Sequence, residues 1–219
     1  MDLKIASAQF ENKSGDKEYN LDRIEEMSKK ASEEGADIIA FHECSITGYS
    51  FARKLTKEQL LALSEYIPDG PSIQRLIEIA KKNKITLLAG LFERGKNGEI
   101  YKSYVCVDEN GLKANYHKLH PFINPHIKPG SNYCVFDYKG WKCGILICYD
   151  NNIIENVRAT CLLGAEIIFM PHVTMCTPST RPGAGFVDPN LWENRMKDPT
   201  SLRIEFDGMK GRQWLMKWL

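Results

Sequence analysis

At 219 residues the chain can bury one substantial core, and a single domain over residues 1–219 is the expected organisation. Its composition, 43% hydrophobic and 26% charged, is ordinary for a globular protein, and a formal net charge of +1 gives no electrostatic reason to expect nucleic acid or an anionic membrane as partner. The longest apolar runs, around 145–147 and 167–171, are far too short to span a bilayer, and Met1-Asp2-Leu3-Lys4 passes straight into a strand pattern with no apolar signal core, so a cytoplasmic location is expected.

Residues 3–10 alternate around Ile5 and Ala8 and read as a strand. Asn20 is expected to cap a helix with the apolar stripe Leu21, Ile24, Met27 and Ala31, ended by Gly35. Residues 37–41 form a short apolar run, read as a buried strand, that discharges into His42-Glu43-Cys44. Strand, helix and strand with short connections make a βαβ unit, which predicts a parallel pair. Residues 55–67 read as a weaker helix. Pro68-Asp69-Gly70-Pro71 breaks it and starts another, with the stripe Ile73, Leu76, Ile77 and Ala80.

Residues 85–91 follow as a buried strand, and the turn Gly95-Lys96-Asn97-Gly98 folds the chain back into a hairpin with 100–107. Asn110-Gly111 makes a further tight turn before a strand at 112–117, and a Pro-rich loop then runs through Gly130. Strands around 133–136 and 142–147 lead to Cys148, a helix over 155–163 is stopped by Gly164, and a strand over 165–170 ends at Pro171-His172. Residues 174–189 read as loop. Residues 198–219 read as a helical region of mixed face, closing on an apolar run from Trp214 to Leu219 that needs cover.

The seven cysteines (44, 106, 134, 143, 148, 161 and 176) are odd in number and mostly lie in apolar stretches. No two have the Cys-x-x-Cys spacing of a metal site, which predicts reduced core thiols for six of them and no bound metal. Cys148 differs. A buried strand delivers it to an Asp-Asn-Asn turn ahead of a helix, a placement that holds a nucleophile clear of the sheet near backbone N–H groups. Glu43 and Lys118 likewise lie just past strand ends, where open α/β sheets bind ligands. Base, cation and thiol suit acyl transfer: Glu43 can take the thiol proton if burial raises it towards neutrality, and a lysine can favour the thiolate and then the oxyanion.

Phe41-His42-Glu43 with Thr47-Gly48-Tyr49, then Tyr116-His117-Lys118-Leu119-His120, then Gly144-x-x-Ile147-Cys148-Tyr149-Asp150 resembles the nitrilase superfamily, the carbon–nitrogen hydrolases. The resemblance covers essentially the whole chain in order, including Glu155, Arg158, Gly164-Ala165 and Pro171. It implies an α/β fold of α-β-β-α sandwich type and a catalytic trio of Glu43 as general base, Lys118 as oxyanion stabiliser and Cys148 as thioester-forming nucleophile. The Tyr149 backbone N–H would be a second oxyanion donor, with Asn151 and His172 beside the substrate. No metal or organic cofactor is implied. Tyr-Asp after the cysteine resembles the amidase and carbamoylase branches, where true nitrilases tend to have Trp-Glu. The implied reaction is hydrolysis of a linear amide or carbamoyl compound with release of ammonia, by a homodimer or larger homo-oligomer.

Two departures stand out. Family members usually carry a second glutamate in the loop after the lysine; here residues 121–128 contain no acidic residue, and Pro125 or His126 is expected in its place. Family chains also continue beyond the point matching Leu219, so the last strands of the second sheet are expected to be missing and self-association through the uncovered face is expected. Two other readings stand beside the hydrolase. One is a cysteine hydrolase with a Cys148–His120 or Cys148–His172 dyad, and the other is a catalytically impaired relative acting as a binding or assembly module. Arg181, Trp192, Glu193 and Arg195 are candidates for shaping the substrate pocket or a subunit interface.

Overall fold

The structure is a computed structural model that describes residues 2–173 together with 190, 193, 194, 196–198 and 200. The expectations placed on 174–189, Cys176, Arg181, Trp192, Arg195 and, apart from residues 198 and 200, on 198–219 lie outside the described residues, and Glu193 is exposed. The chain divides into two compact units, Met1–His172 and Val173–Leu219. In the second, the described residues make a helical turn in which the Asn194 N–H donates to the Asn190 carbonyl at 3.0 Å.

The first unit begins β1 (Ile5–Ala8), α1 (Lys17–Glu33), β2 (Ile38–Phe41). β1 and β2 are parallel, as the βαβ reading expects. α1 starts earlier than expected: Asp16, not Asn20, caps it, accepting from the Tyr19 N–H. Asn20 is instead fully buried and ties the loop before the helix to the loop after β2, bonding Lys13 and the Ile46 carbonyl through its side chain. The polar residue that looked like a cap serves tertiary structure.

An unexpected 3-10 turn, Ser50–Lys54, comes first, and the weaker helix expected over 55–67 is shorter, α2 (Lys57–Leu63). Thr56 and Gln59 form a reciprocal capping box at its start. α3 (Pro71–Asn83) takes Pro at its first turn and buries Ile73, Leu76, Ile79 and Ala80. Ile79 joins the stripe and Ile77 packs partly buried against the same core, and each fully buried Ile or Leu contributes about 1.5–3 kcal/mol.

β3 (Thr86–Arg94), β4 (Ile100–Asp108) and β5 (Gly111–His117) follow as antiparallel neighbours, and β6 (Ile127–Lys128) pairs parallel with the start of β4. β6 is a strand that a two-residue signal inside a Pro-rich loop could not announce. The sheet order is β1-β2-β3-β4-β5, with β6 joined to β4. A second sheet contains, among the described residues, three strands in the order β7 (Cys134–Tyr138), β8 (Trp141–Ile145), β9 (Ile167–Phe169), with α4 (Ile154–Leu162) between β8 and β9 in the chain.

Alternation along the strands assigns the two faces of the larger sheet. Ile39, Phe41, Leu87, Ala89, Val105 and Val107 pack with α1 and α3 residues. Ile38, Leu88, Tyr104, Cys106, Ala114 and Tyr116 face the other way and form one core with Cys143, Ile145, Ile147 and Phe169 of the second-sheet region. α4 lies against the second sheet through Gly144, where an added Cβ would come within 2.5 Å of Thr160 Cγ2. The layers are thus helix, sheet, sheet, helix, the sandwich that the resemblance implies. Gly144→Ala is expected to cost about 1–3 kcal/mol. Thr160→Ser, which keeps the hydroxyl bonded to the Asn156 carbonyl, should recover part of that loss in urea midpoints.

The cysteine expectation needs one correction. Cys44, Cys106 and Cys143 are buried and Cys134 is partly buried, but Cys161 is exposed on α4. A short helix has an outer face, and Cys161 falls on it.

Candidate active site

The trio is drawn from both sheets. Glu43 follows β2 and Lys118 follows β5, both in the larger sheet, whereas Cys148 follows β8 of the smaller one. β2 and β5 point the same way, since β3 runs parallel to β2 and two antiparallel steps restore that direction at β5. Strand ends that seemed to belong to one sheet therefore meet across a two-sheet core.

Glu43 is at the centre, 1% exposed. The loop that carries it packs on β3 at Gly90, where a Cβ would meet the Cys44 nitrogen at 2.5 Å, and the Ile46 N–H donates to the Gly90 carbonyl at 3.0 Å. Only glycine permits that approach. Glu43 Oε1 accepts from Lys102 Nζ at 2.6 Å and lies 3.4 Å from Lys118 Nζ. The Glu43 carboxylate also hydrogen-bonds the Cys148 side chain. Lys118 Nζ donates to the Ile147 carbonyl, directly before the cysteine.

Cys148 holds a left-handed backbone, φ 50°, and its N–H donates to the Pro171 carbonyl at 2.9 Å. A non-glycine residue in this region is strained and persists because its surroundings fix it. Burial raises the thiol above the ordinary cysteine value, with the Glu43 carboxylate adding to the rise and Lys118 opposing it. At neutral pH the resting group is a thiol, and a nucleophile requires a base.

As expected, Cys148 opens a turn ahead of the helix: residues Cys148–Asn152 form a 3-10 turn and α4 begins at Ile154. What fixes the turn is Asp150. It is wholly buried and accepts from the Tyr116 hydroxyl at 2.8 Å, the Leu119 N–H at 3.1 Å and the His120 N–H at 2.9 Å. The Asn156 side chain donates to the Asp150 carbonyl at 2.9 Å. Asp150 thereby ties the segment after Lys118 to the turn that carries Cys148.

The remaining candidates divide. The Tyr149 side chain is half exposed and meets Phe122 and His120 edge to face, with ring centroids 5.9 and 6.4 Å apart. Asn151 Nδ2 and His172 Nε2 are 2.6 Å apart, beside the site. Burial lowers His172 below the ordinary histidine value, so it is neutral at pH 7. Pro125 and His126 are exposed; the buried residues of their loop are Ile123, Asn124 and Ile127, and Asn124 donates to the Ala52 and Leu55 carbonyls.

A family model described as carbon-nitrogen hydrolase matches residues 4–195. The chain belongs to the carbon-nitrogen hydrolase family. It is similar to a nitrilase of Pyrococcus abyssi, 31% identical over 77% of this chain and 64% of that protein. It is also similar to an (R)-stereoselective amidase of a Pseudomonas species, 28% identical over 79% and 61%. Among solved structures it resembles an amidase from Nesterenkonia sp., with a TM-score of 0.65 and 26% identity over 77% of this chain and 64% of that one. A mutant of that amidase has been solved with acrylamide added at its active-site cysteine. The chain thus spans under two thirds of the length of these relatives.

Within this carbon-nitrogen hydrolase chain, the residue that sequence reasoning missed is Lys102. The signal was present. Lys102 alternates with Tyr104 and Cys106, the residues of β4 that face the second sheet, and a lysine on that face must be paired because buried lysines otherwise do not persist. Lys118 shares the corresponding parity with Ala114 and Tyr116 on β5. Among the described residues no group of three or more His, Cys, Asp or Glu side chains is placed to hold a metal ion.

Proposed function

We propose that the protein hydrolyses a linear amide or carbamoyl compound through a thioester on Cys148. The observation that carries this reading is the Glu43 carboxylate, 1% exposed and bonded at once to the Cys148 thiol and to a lysine ammonium. Glu43 takes the proton as Cys148 Sγ attacks the substrate carbonyl. Lys118 Nζ and the Tyr149 backbone N–H stabilise the oxyanion. Collapse of the tetrahedral intermediate expels ammonia, which receives the proton from Glu43. Water, deprotonated by the same carboxylate, then attacks the thioester and frees the acid and the thiol. Similarity to amidases, a mutant of one of which adds acrylamide at its active-site cysteine, supports the class of chemistry.

A histidine dyad is less well supported, since His172 Nε2 is engaged with Asn151 and no histidine contacts the thiol among the bonds of the described residues. The test is ammonia release over a panel of amides, carbamoyl compounds and nitriles, with Cys148→Ala as control. Release from an amide or carbamoyl compound that vanishes in the control is the expected result. Release that persists in Cys148→Ala would remove the cysteine from the mechanism.

A further inference from the structure

The buried site contains two lysines and one glutamate. Lys102 and Lys118 are each 1% exposed, like Glu43, and both approach the same carboxylate oxygen. They are not equivalent. Lys102 makes the closer contact, 2.6 against 3.4 Å, and its ammonium is enclosed by Glu43 on one side and the Tyr49 ring on the other, 3.8 Å from the ring centroid. Lys118 is ion-paired with Glu43 and donates its hydrogen bond to the Ile147 carbonyl, next to Cys148.

We propose that Lys102 is a positioning residue for the general base: it holds Glu43 ionised and aimed at the thiol, and so leaves Lys118 available to meet the oxyanion. This rests on the hydrolase reading for the identity of the reaction, but not for the proton transfer itself. The physical argument is one of charge. A carboxylate taken wholly out of water favours its neutral form unless cations compensate, and a protonated Glu43 cannot accept the Cys148 proton. If Lys118 alone supplied that compensation, its charge would be committed to Glu43 when the oxyanion forms. With Lys102 as the closer partner, the carboxylate remains compensated as Lys118 turns to the substrate.

The groups that face Glu43 electrostatically come from every neighbouring segment. His42, Cys44 and Tyr49 lie on its own loop, Lys102 on β4, Lys118 after β5, and Cys148 and His172 on the second-sheet side. Burial drives the His42 imidazole down to about 4 and the Cys44 thiol up to about 12, and it raises the Tyr49 hydroxyl as well. None of these three changes charge between pH 5 and 8; His172, which burial lowers from the ordinary histidine value, joins Glu43 and Cys148 on the acid side of the pH dependence, and repeating the profile in His172→Gln separates its contribution.

Alkylation of Cys148 by iodoacetamide in the full 219-residue chain, followed against pH, reads this directly without amide turnover. Sγ loses its proton to Glu43, the S–C bond forms and iodide leaves. The rate should show a plateau through neutral pH whose acid edge marks protonation of Glu43. In the unaltered chain that edge is expected at or below about pH 5, no higher than an ordinary glutamate allows. Lys102→Met should move it up by a unit or more, and Lys102→Arg should restore it to within a few tenths. A folded Lys102→Met with an unmoved edge overturns the proposal, as does an edge near pH 7 in the unaltered chain, a measurement that stands even if Lys102→Met does not fold. A full plateau in a chain that releases no ammonia from any amide sinks the hydrolase reading and leaves the role of Lys102 intact.

Discussion

Glu43→Gln is expected to lower ammonia release at neutral pH by roughly a thousandfold, within the range that loss of a positioned base produces. It should also slow iodoacetamide alkylation of Cys148, while leaving that of the exposed Cys161 unchanged. The sign follows from the thiol. Burial and the Glu43 charge both hold Cys148 in its protonated form, so the thiolate present without help at neutral pH is small. Removing the carboxylate relieves one of those two causes, and Lys118 and Lys102 then favour the thiolate, yet the proton acceptor is gone. If the thiolate population alone governed the rate, Glu43→Gln would react faster; if base-assisted transfer governs it, Glu43→Gln reacts more slowly. His120→Ala serves as the contrast, because the His120 side chain is exposed and its backbone N–H, not its ring, makes the bond to Asp150. Full activity in Glu43→Gln together with loss in His120→Ala would reverse the assignment of roles. Cys148 alkylated no faster than Cys161 in the unaltered chain would favour the impaired relative over the enzyme.

Asp150→Ala is expected to destabilise the fold by about 3 kcal/mol or more, since each buried donor left without its acceptor costs about 1–3 kcal/mol. Three donors are affected: the Tyr116 hydroxyl and the Leu119 and His120 amides. Tyr116 cannot relax by ionising. Burial, and then the Asp150 charge, raise its hydroxyl far above the ordinary tyrosine value. Asp150→Asn keeps one acceptor but turns an amide NH2 towards one of the backbone N–H groups, and should fall between the two. Urea unfolding midpoints measure the loss. A shift in Asp150→Ala below about 0.5 kcal/mol, the scale of ordinary surface substitutions, would show that the tether is not structural. Alkylation of Cys148 should slow as well in the folded fraction, because Lys118 directly precedes the two amides that Asp150 holds.

Much of this was legible before the structure. The βαβ start, the two hairpins of β3 to β5 and the three strand-end residues follow from periodicity and turn residues, which act locally. The residues missed act across the chain. Asn20 resembles a helix cap in sequence because a cap and a buried amide use the same side chain, and only the position of the loop at Ile46 decides between them. Asp150 stood in plain view next to Cys148, but its partners are thirty or more residues away. Lys102 was hidden by habit: a lysine in a strand is usually on the solvent face, and reading its parity against Tyr104 and Cys106 requires knowing that a second sheet covers that face. The lack of an acidic residue in the loop after Lys118 was plain from the sequence alone.

The arrangement of the trio has a mechanical side. Glu43 and Lys118 hang from one sheet and Cys148 from the other, so the distance between carboxylate and thiol is set by how the two sheets seat on each other. Tyr104, Tyr116, Cys106, Ile145 and Phe169 are the spacers of that joint. A small change of volume among them is expected to shift the thiol relative to Glu43 while most of the burial survives, because close-packed interiors transmit strain. Reactivity of Cys148 is therefore a gauge of sheet-to-sheet fit, more sensitive to a slip in that seam than stability is.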